Sequence, residues 1–184
     1  MKRMLRVLAV LGTVLLASGC ALKAPNYVPS IDNVGLIKGG GASMAVGSFT
    51  VQAGVAPAIS LRSNPMSSPV GADYAAYLAE AIRQELGLAG KLDPASKIEI
   101  SGVVTKNDIA AGGISTNSGE IEARIVVRNG GAVRFDKLKR ADMSWESSFV
   151  GAIAIPKAQQ NYPLIVQRLL GAIWSDPDFQ KALQ

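Results

Sequence analysis

The chain has 184 residues, 48% of them hydrophobic and 18% charged, which suits one domain with a modest core and excludes a disordered tail protein. It has no histidine and one cysteine, Cys20, so Ser-His-Asp and Cys-His catalysis, His-containing zinc sites, thiolate clusters and an internal disulfide are excluded. The net charge of +5 points weakly to an anionic partner, because three of the 19 basic residues (Lys2, Arg3 and Arg6) precede the first apolar run, leaving 16 against 14 acidic residues beyond residue 19.

That basic start is followed by Val7–Ala17, an uncharged apolar stretch of 11 residues, and by the small residues Ala17, Ser18 and Gly19. This is the layout of a secretory signal. A membrane-spanning helix needs about 20 apolar residues. Ala17-Ser18-Gly19-Cys20 resembles the bacterial lipobox, with Ala17 where leucine is usual and Leu16 one place further back. The resemblance implies that residues 1–19 are a lipoprotein signal peptide and that Cys20 becomes the acylated first residue. Two or three acyl chains, at about 0.8 kcal/mol per buried methylene, hold a protein to a bilayer effectively for good. Ala21, in place of the aspartate that retains lipoproteins at the inner membrane, implies sorting to the outer membrane.

Residues 20–42 read as the lipidated N-terminus and a flexible tether, since Pro25, Asn26, Pro29, Ser30 and Gly39-Gly40-Gly41 favour turns and extended chain. Ile31–Ile37 has at most the pattern of a short edge strand. Residues 43–184 form the α+β domain. Ser43–Gln52 alternates as a strand, slipping at Gly47-Ser48 as a bulge would. Ala53–Ser68 reads as mostly loop, with a short extended piece over Ile59–Arg62. Pro69–Ala89 is the clearest helix. Asp73 or Ser68 can cap it, and Tyr74, Tyr77, Leu78, Ala81, Ile82, Glu85, Leu86 and Ala89 share one face, Glu85 being its one charged member.

A run of strands follows. Ile98, Ile100, Gly102 and Val104 alternate with Glu99, Ser101 and Val103. After a loop through Gly112-Gly113, Glu120, Glu122, Arg124, Val126 and Arg128 alternate with Ile121, Ala123, Ile125 and Val127, the pattern of a half-buried antiparallel strand. Asn129-Gly130 signals a hairpin. The return strand runs with interruptions from Ala132 to Val150, with Met143, Trp145, Ser147 and Phe149 on one face. The last helix is expected from Asn161 or Tyr162, with Pro163 in its first turn. Asp176-Pro177 then caps a short helix holding Phe179 and Leu183. The expected fold is an antiparallel sheet of about four strands with two helices on one face, in the order β-α-β-β-β-α.

Chemistry is sparse. Gly39-Gly40-Gly41 lacks the ending of a phosphate loop. Glu120 and Glu122 share a strand face with Arg124 and Arg128, which reads as a mixed-charge outer surface rather than a catalytic carboxylate pair. Lys137, Lys139 and Arg140, between Asp136 and Asp142, form a charged bend. These two places, Glu120, Glu122, Arg124 and Arg128 together with Lys137, Lys139 and Arg140, are the candidate partner surface. No catalytic residue, cofactor or metal site is expected. A basic-aromatic nucleic-acid face is not seen either.

With its lipobox, its strand, its helix ending near Glu85-Leu86, its long hairpin around Asn129-Gly130-Gly131 and its closing Asp176-Pro177-Asp178-Phe179 element, the chain resembles the YajG-like group of small outer-membrane lipoproteins. The likeness spans roughly residues 43–183 and rests on layout and apolar spacing. It implies a non-enzymatic periplasmic domain that binds an envelope protein. Comparable domains in auxiliary subunits of lipid transporters and in curli-secretion lipoproteins make an accessory subunit of a transport or secretion machine the alternative.

Overall fold

The structure is a computed structural model that describes residues 22–184. The signal peptide, the lipobox and Cys20 lie outside the described residues. Ten of the elements follow β1 (Leu22–Lys23) in chain order. They are α1 (Ile31–Lys38), β2 (Ala45–Val51), β3 (Ala58–Leu61), β4 (Asn64–Ser67), α2 (Tyr74–Ala89), β5 (Ile98–Ala110), β6 (Thr116–Asn129), β7 (Ala132–Glu146), α3 (Gly151–Trp174) and α4 (Pro177–Ala182).

The main sheet has the order β2-β5-β6-β7, and the long helices α2 and α3 cover one of its faces. The α+β class and the strand-helix-strand-strand-strand-helix core are as expected. One pairing differs. β5, β6 and β7 are joined by hairpins and run antiparallel, but β2 pairs with β5 in parallel. The connection between β2 and β5 carries α2 across the sheet, and a crossover of that kind returns the chain in the same direction. The bulge read at Gly47-Ser48 is present as a register shift between Val46 and Phe49. Turn residues Gly130 and Gly131 both have positive φ, 57° and 88°, which places the β6–β7 turn one residue beyond Asn129-Gly130.

α2 starts where Asp73 caps it: its carboxylate accepts from the N–H groups of Ala75 and Ala76 at 2.9 and 3.0 Å. The helix ends at Gly90, in the left-handed region at φ 70°. Its apolar stripe is buried as expected. Each large side chain on it, Leu78, Ile82 and Leu86 among them, contributes about 1.5–3 kcal/mol by leaving water. Tyr74, Tyr77 and Tyr162 stack edge-on between α2 and α3, with ring centroids 4.9 to 6.3 Å apart.

Three segments depart from the sequence reading. α3 begins at Gly151, not at Asn161, and contains both Pro156 and Pro163. Its first turns lie largely in solvent, touching the body through the small buried Ala154 and Ala158, and Pro163 is buried further along. A proline removes one backbone donor and can kink a helix without ending it when packing holds both sides. The stretch Ala53–Ser68, read mostly as loop, holds the β3–β4 hairpin. Its turn is Arg62-Ser63, both at positive φ (51° and 69°), which a non-glycine pair rarely signals. With β1 it makes a second, smaller sheet of order β1-β4-β3.

The third departure is at the start. Residues 22–38, expected as tether, are part of the folded body. Leu22 and Lys23 pair with Met66 and Ser67 of β4. Ala24 and Tyr27 are buried. Ile31–Lys38 is a helix, not a strand, because Ser30 caps it through the Asn33 N–H, and it packs across both α2 and α3. Gly40 and Gly41 then press against Gln180 and Leu183 near the C-terminus. A Cβ on Gly41 would sit 2.7 Å from the Leu183 carbonyl oxygen, and the Gly41 carbonyl accepts from Lys91 Nζ at 2.7 Å. Close approach, not flexibility, is why glycine stands there.

Candidate interaction surface

The two faces of the main sheet separate the sequence-predicted residues. Strand alternation sends Ile121, Ala123, Ile125 and Val127 under the helices and Glu120, Glu122, Arg124 and Arg128 to the open side. Register brings β7 beside them: Glu122 stands opposite Arg140, Arg124 opposite Leu138, and Val126 opposite Asp136. Arg140 therefore joins the open face. Lys137 and Lys139 do not. They are in phase with buried Phe135 and Ala141 on the helix-covered side, and the expected bend at 136–142 is continuous strand.

On the open face each of the sequence-predicted charges has a partner. Glu120 lies between Lys106 and Arg140, the latter 2.7 Å away. Glu122 accepts from Thr105 Oγ1 at 2.8 Å. Arg124 grips Asp136 through two bonds of 2.6 Å, which raise the guanidinium pKa and lower that of the carboxyl. Arg128 reaches Ser101 at 3.3 Å. A shallow concavity of about 340 Å³ opens between Asp108, Ser118, Glu120, Arg140, Asp142 and Ser144. Glu120 and Glu122 are thus held by different partners. Among the described residues no group of three or more histidine, cysteine, aspartate or glutamate side chains is placed to hold a metal ion.

Lys137 and Lys139 instead converge on the corner between α3 and α4. Both ammoniums lie 3.0 to 3.1 Å from Asp176, and Lys137 also reaches Asp178 at 2.7 Å. These inward charges on the edge strand β7 also keep it from pairing with a second sheet. Burial opposes ionisation of Asp176, but the Lys139 and Lys137 ammoniums and the Asp178 N–H outweigh it and hold the carboxyl well below the usual carboxylate range. A folded-state pKa below the unfolded one gives stability that is present above about pH 4 and lost as pH falls through the folded value. Asp176→Ala, which also removes the α4 cap, should lower stability at pH 7 by about 1–2 kcal/mol. Urea melts at descending pH should show the gap between the variant and the unaltered chain narrowing below pH 4.

Two residues tie distant parts of the fold together through partners that the sequence does not announce. Glu85 was visible as the lone charge on an apolar helix face, but its partners were not. It is fully buried and accepts from the Tyr27 hydroxyl at 2.5 Å, Asn33 Nδ2 at 3.0 Å, the Ser30 N–H at 3.2 Å and Trp174 Nε1 at 2.6 Å. Burial and then the Glu85 charge push the Tyr27 hydroxyl far above its ordinary pKa, so it stays a donor. Arg62, in the β3–β4 turn, donates to the carbonyls of Ala111, Gly113, Ser148 and Phe149 at 2.5 to 3.2 Å. Nothing in its local sequence marks it.

No family model and no curated protein matches the chain. Among solved structures it is similar to a protein of the DUF330 family from Xanthomonas campestris, at 14% identity over 83% of this chain and 93% of that one, with a TM-score of 0.54. The two share a fold. Weaker likenesses join it to a "putative lipoprotein" from Caulobacter crescentus (11% identity, 82% of this chain and 96% of that one, TM-score 0.48) and a hypothetical protein from Chlamydia trachomatis (12% identity, 72% and 97%, TM-score 0.40). Among the described residues no helix is long and apolar enough to cross a membrane.

Proposed function

We propose that this chain is a bacterial envelope lipoprotein, acylated at Cys20 and held at the periplasmic side of the outer membrane, with a non-enzymatic role in binding another envelope protein. The YajG-like layout and the lipobox support the anchor. The observation that carries the binding role is the open face of the main sheet: the long strands β6 and β7 present Glu120, Glu122, Arg124, Arg128 and Arg140 on the side that no helix covers. A fixed mosaic of both signs selects a partner with the opposite pattern and repels others.

Charge reversal tests the face. In cells carrying Glu120→Lys, Arg124→Glu and Arg140→Glu together, crosslinking in intact membranes should lose the band that the unaltered chain gives. An unchanged band, with the protein folded and its amino-terminal peptide acylated by mass spectrometry, overturns the assignment of this face. Fractionation of Cys20→Ser should move the chain out of the envelope pellet.

A further inference from the structure

The end of the molecule that carries the β5–β6 and β7–α3 loops exposes more apolar surface than a solvated tip needs. Ile114 is 73% exposed, Phe149 75%, Val150 53% and Ile153 49%. Phe149 continues the alternation of Met143 and Trp145 in the sequence, but β7 ends at Glu146 and the ring stands in solvent. Scattered exposed apolar side chains are ordinary, whereas several on one tip mark a contact surface. These are held together. The Arg62 guanidinium ties Ala111 and Gly113 of one loop to Ser148 and Phe149 of the other, and the Ser147 N–H donates to the Ser115 carbonyl at 2.8 Å.

The described chain starts beside this tip. β1 runs parallel to β4, with Leu22 opposite Met66, and β4 begins directly after the Arg62-Ser63 turn. Leu22, the first residue of β1, therefore lies at the end of that strand nearer the Arg62 turn. Cys20 is two residues before Leu22, a reach of no more than about 7 Å.

We infer that the tip formed by Ile114, Phe149, Val150 and Ile153 rests in the headgroup region of the same bilayer that holds the acyl chains on Cys20. The inference rests on the proposed acylation and adds an orientation to it. Aromatic and aliphatic side chains partition into the interface, and a short lipid tether holds the tip at high effective concentration there, so shallow contacts suffice. With that end down, the concavity around Glu120 and Arg140 faces sideways, near the membrane plane, and the β6–β7 turn at Gly130-Gly131 points away from it.

The test uses the full lipidated chain, purified from membranes and reconstituted in phosphatidylethanolamine–phosphatidylglycerol vesicles. Phe149→Cys and, at the opposite end, Leu88→Cys (61% exposed in the unaltered protein) each receive an environment-sensitive fluorophore. Mass spectrometry of the amino-terminal peptide is read first, and a free Cys20 thiol would count against the lipoprotein reading itself. On acylated protein, a spin label placed high on the lipid acyl chains should quench the probe at residue 149 several-fold more than the probe at residue 88. Equal quenching at the two sites, or none at residue 149, overturns the inference. So does a probe at residue 149 that is shielded in native envelope vesicles but not in pure lipid, because a protein would then be the occupant.

Discussion

Replacing Glu85 with alanine is expected to cost about 3–5 kcal/mol of folding stability, measured as the shift in a urea melt. The carboxyl group collects four donors from three separate parts of the chain: Tyr27 and Ser30 from the entry segment, Asn33 from α1, and Trp174 from the end of α3. Asn33 keeps one bond when Glu85 is lost, to the Gln167 carbonyl at 2.9 Å. Among the described residues the Tyr27 hydroxyl and the Trp174 N–H donate to no other acceptor, and an orphaned buried donor costs about 1–3 kcal/mol. Glu85→Gln should fall between, because one amide oxygen can still accept while its NH2 group opposes a donor. Trp174→Phe should cost less in the Glu85→Ala background than alone, since the bond is already gone. A double-mutant cycle giving no coupling would mean that Trp174 contributes only its bulk.

The parts that were legible in the sequence are those where one period dominates. Asp73 with its apolar stripe, the alternation from Glu120 to Arg128, and Asp176-Pro177 each carry their structure locally. The misread parts depend on distant partners. Nothing near Tyr27 announces that a carboxyl group 58 positions away will accept from it. Pro25 and Pro29 suit a flexible tether and a packed extended segment equally well, and burial decides between them. Pro156 and Pro163 read as a barrier to a helix that packing carries through both. Arg62-Ser63 takes a turn conformation usually left to glycine or asparagine, and four carbonyls from two other loops hold the arginine there. Of the candidate surface, the residue types on β6 were legible. The division of Lys137 and Lys139 from Arg140 was not, because it follows from a strand phase that an assumed bend had concealed.

The same entry segment sets how far the domain would stand from the acyl anchor proposed at Cys20. A flexible chain over residues 20–42 would separate the two by about 25 Å on average. With β1 docked at Leu22, the separation from Cys20 is no more than about 7 Å. Acylation at Cys20, as proposed, would then hold the domain against the bilayer rather than free above it, and a partner of the open sheet face would approach along the membrane.

Beginning the chain at Ala42 instead of Leu22 should lower stability by on the order of 5 kcal/mol, a large share of the roughly 5–15 kcal/mol of a typical domain. A loose tether could be removed with no change. Here the truncation uncovers the surface that Tyr27, Val34 and Ile37 bury, and side chains of that size contribute about 1.5–3 kcal/mol each when fully buried. It also takes three of the four donors from Glu85, leaving the carboxyl group with Trp174 alone beneath an opened surface. Part of the loss is recovered if water reaches Glu85, which is why the expected cost stays below the simple sum. A urea midpoint for the truncated chain equal to that of the chain starting at Leu22 would show that the segment lies on the body without holding it. A lowered midpoint that rises again when a peptide of residues 22–41 is added would show the reverse, and would separate lost packing from a general failure to fold.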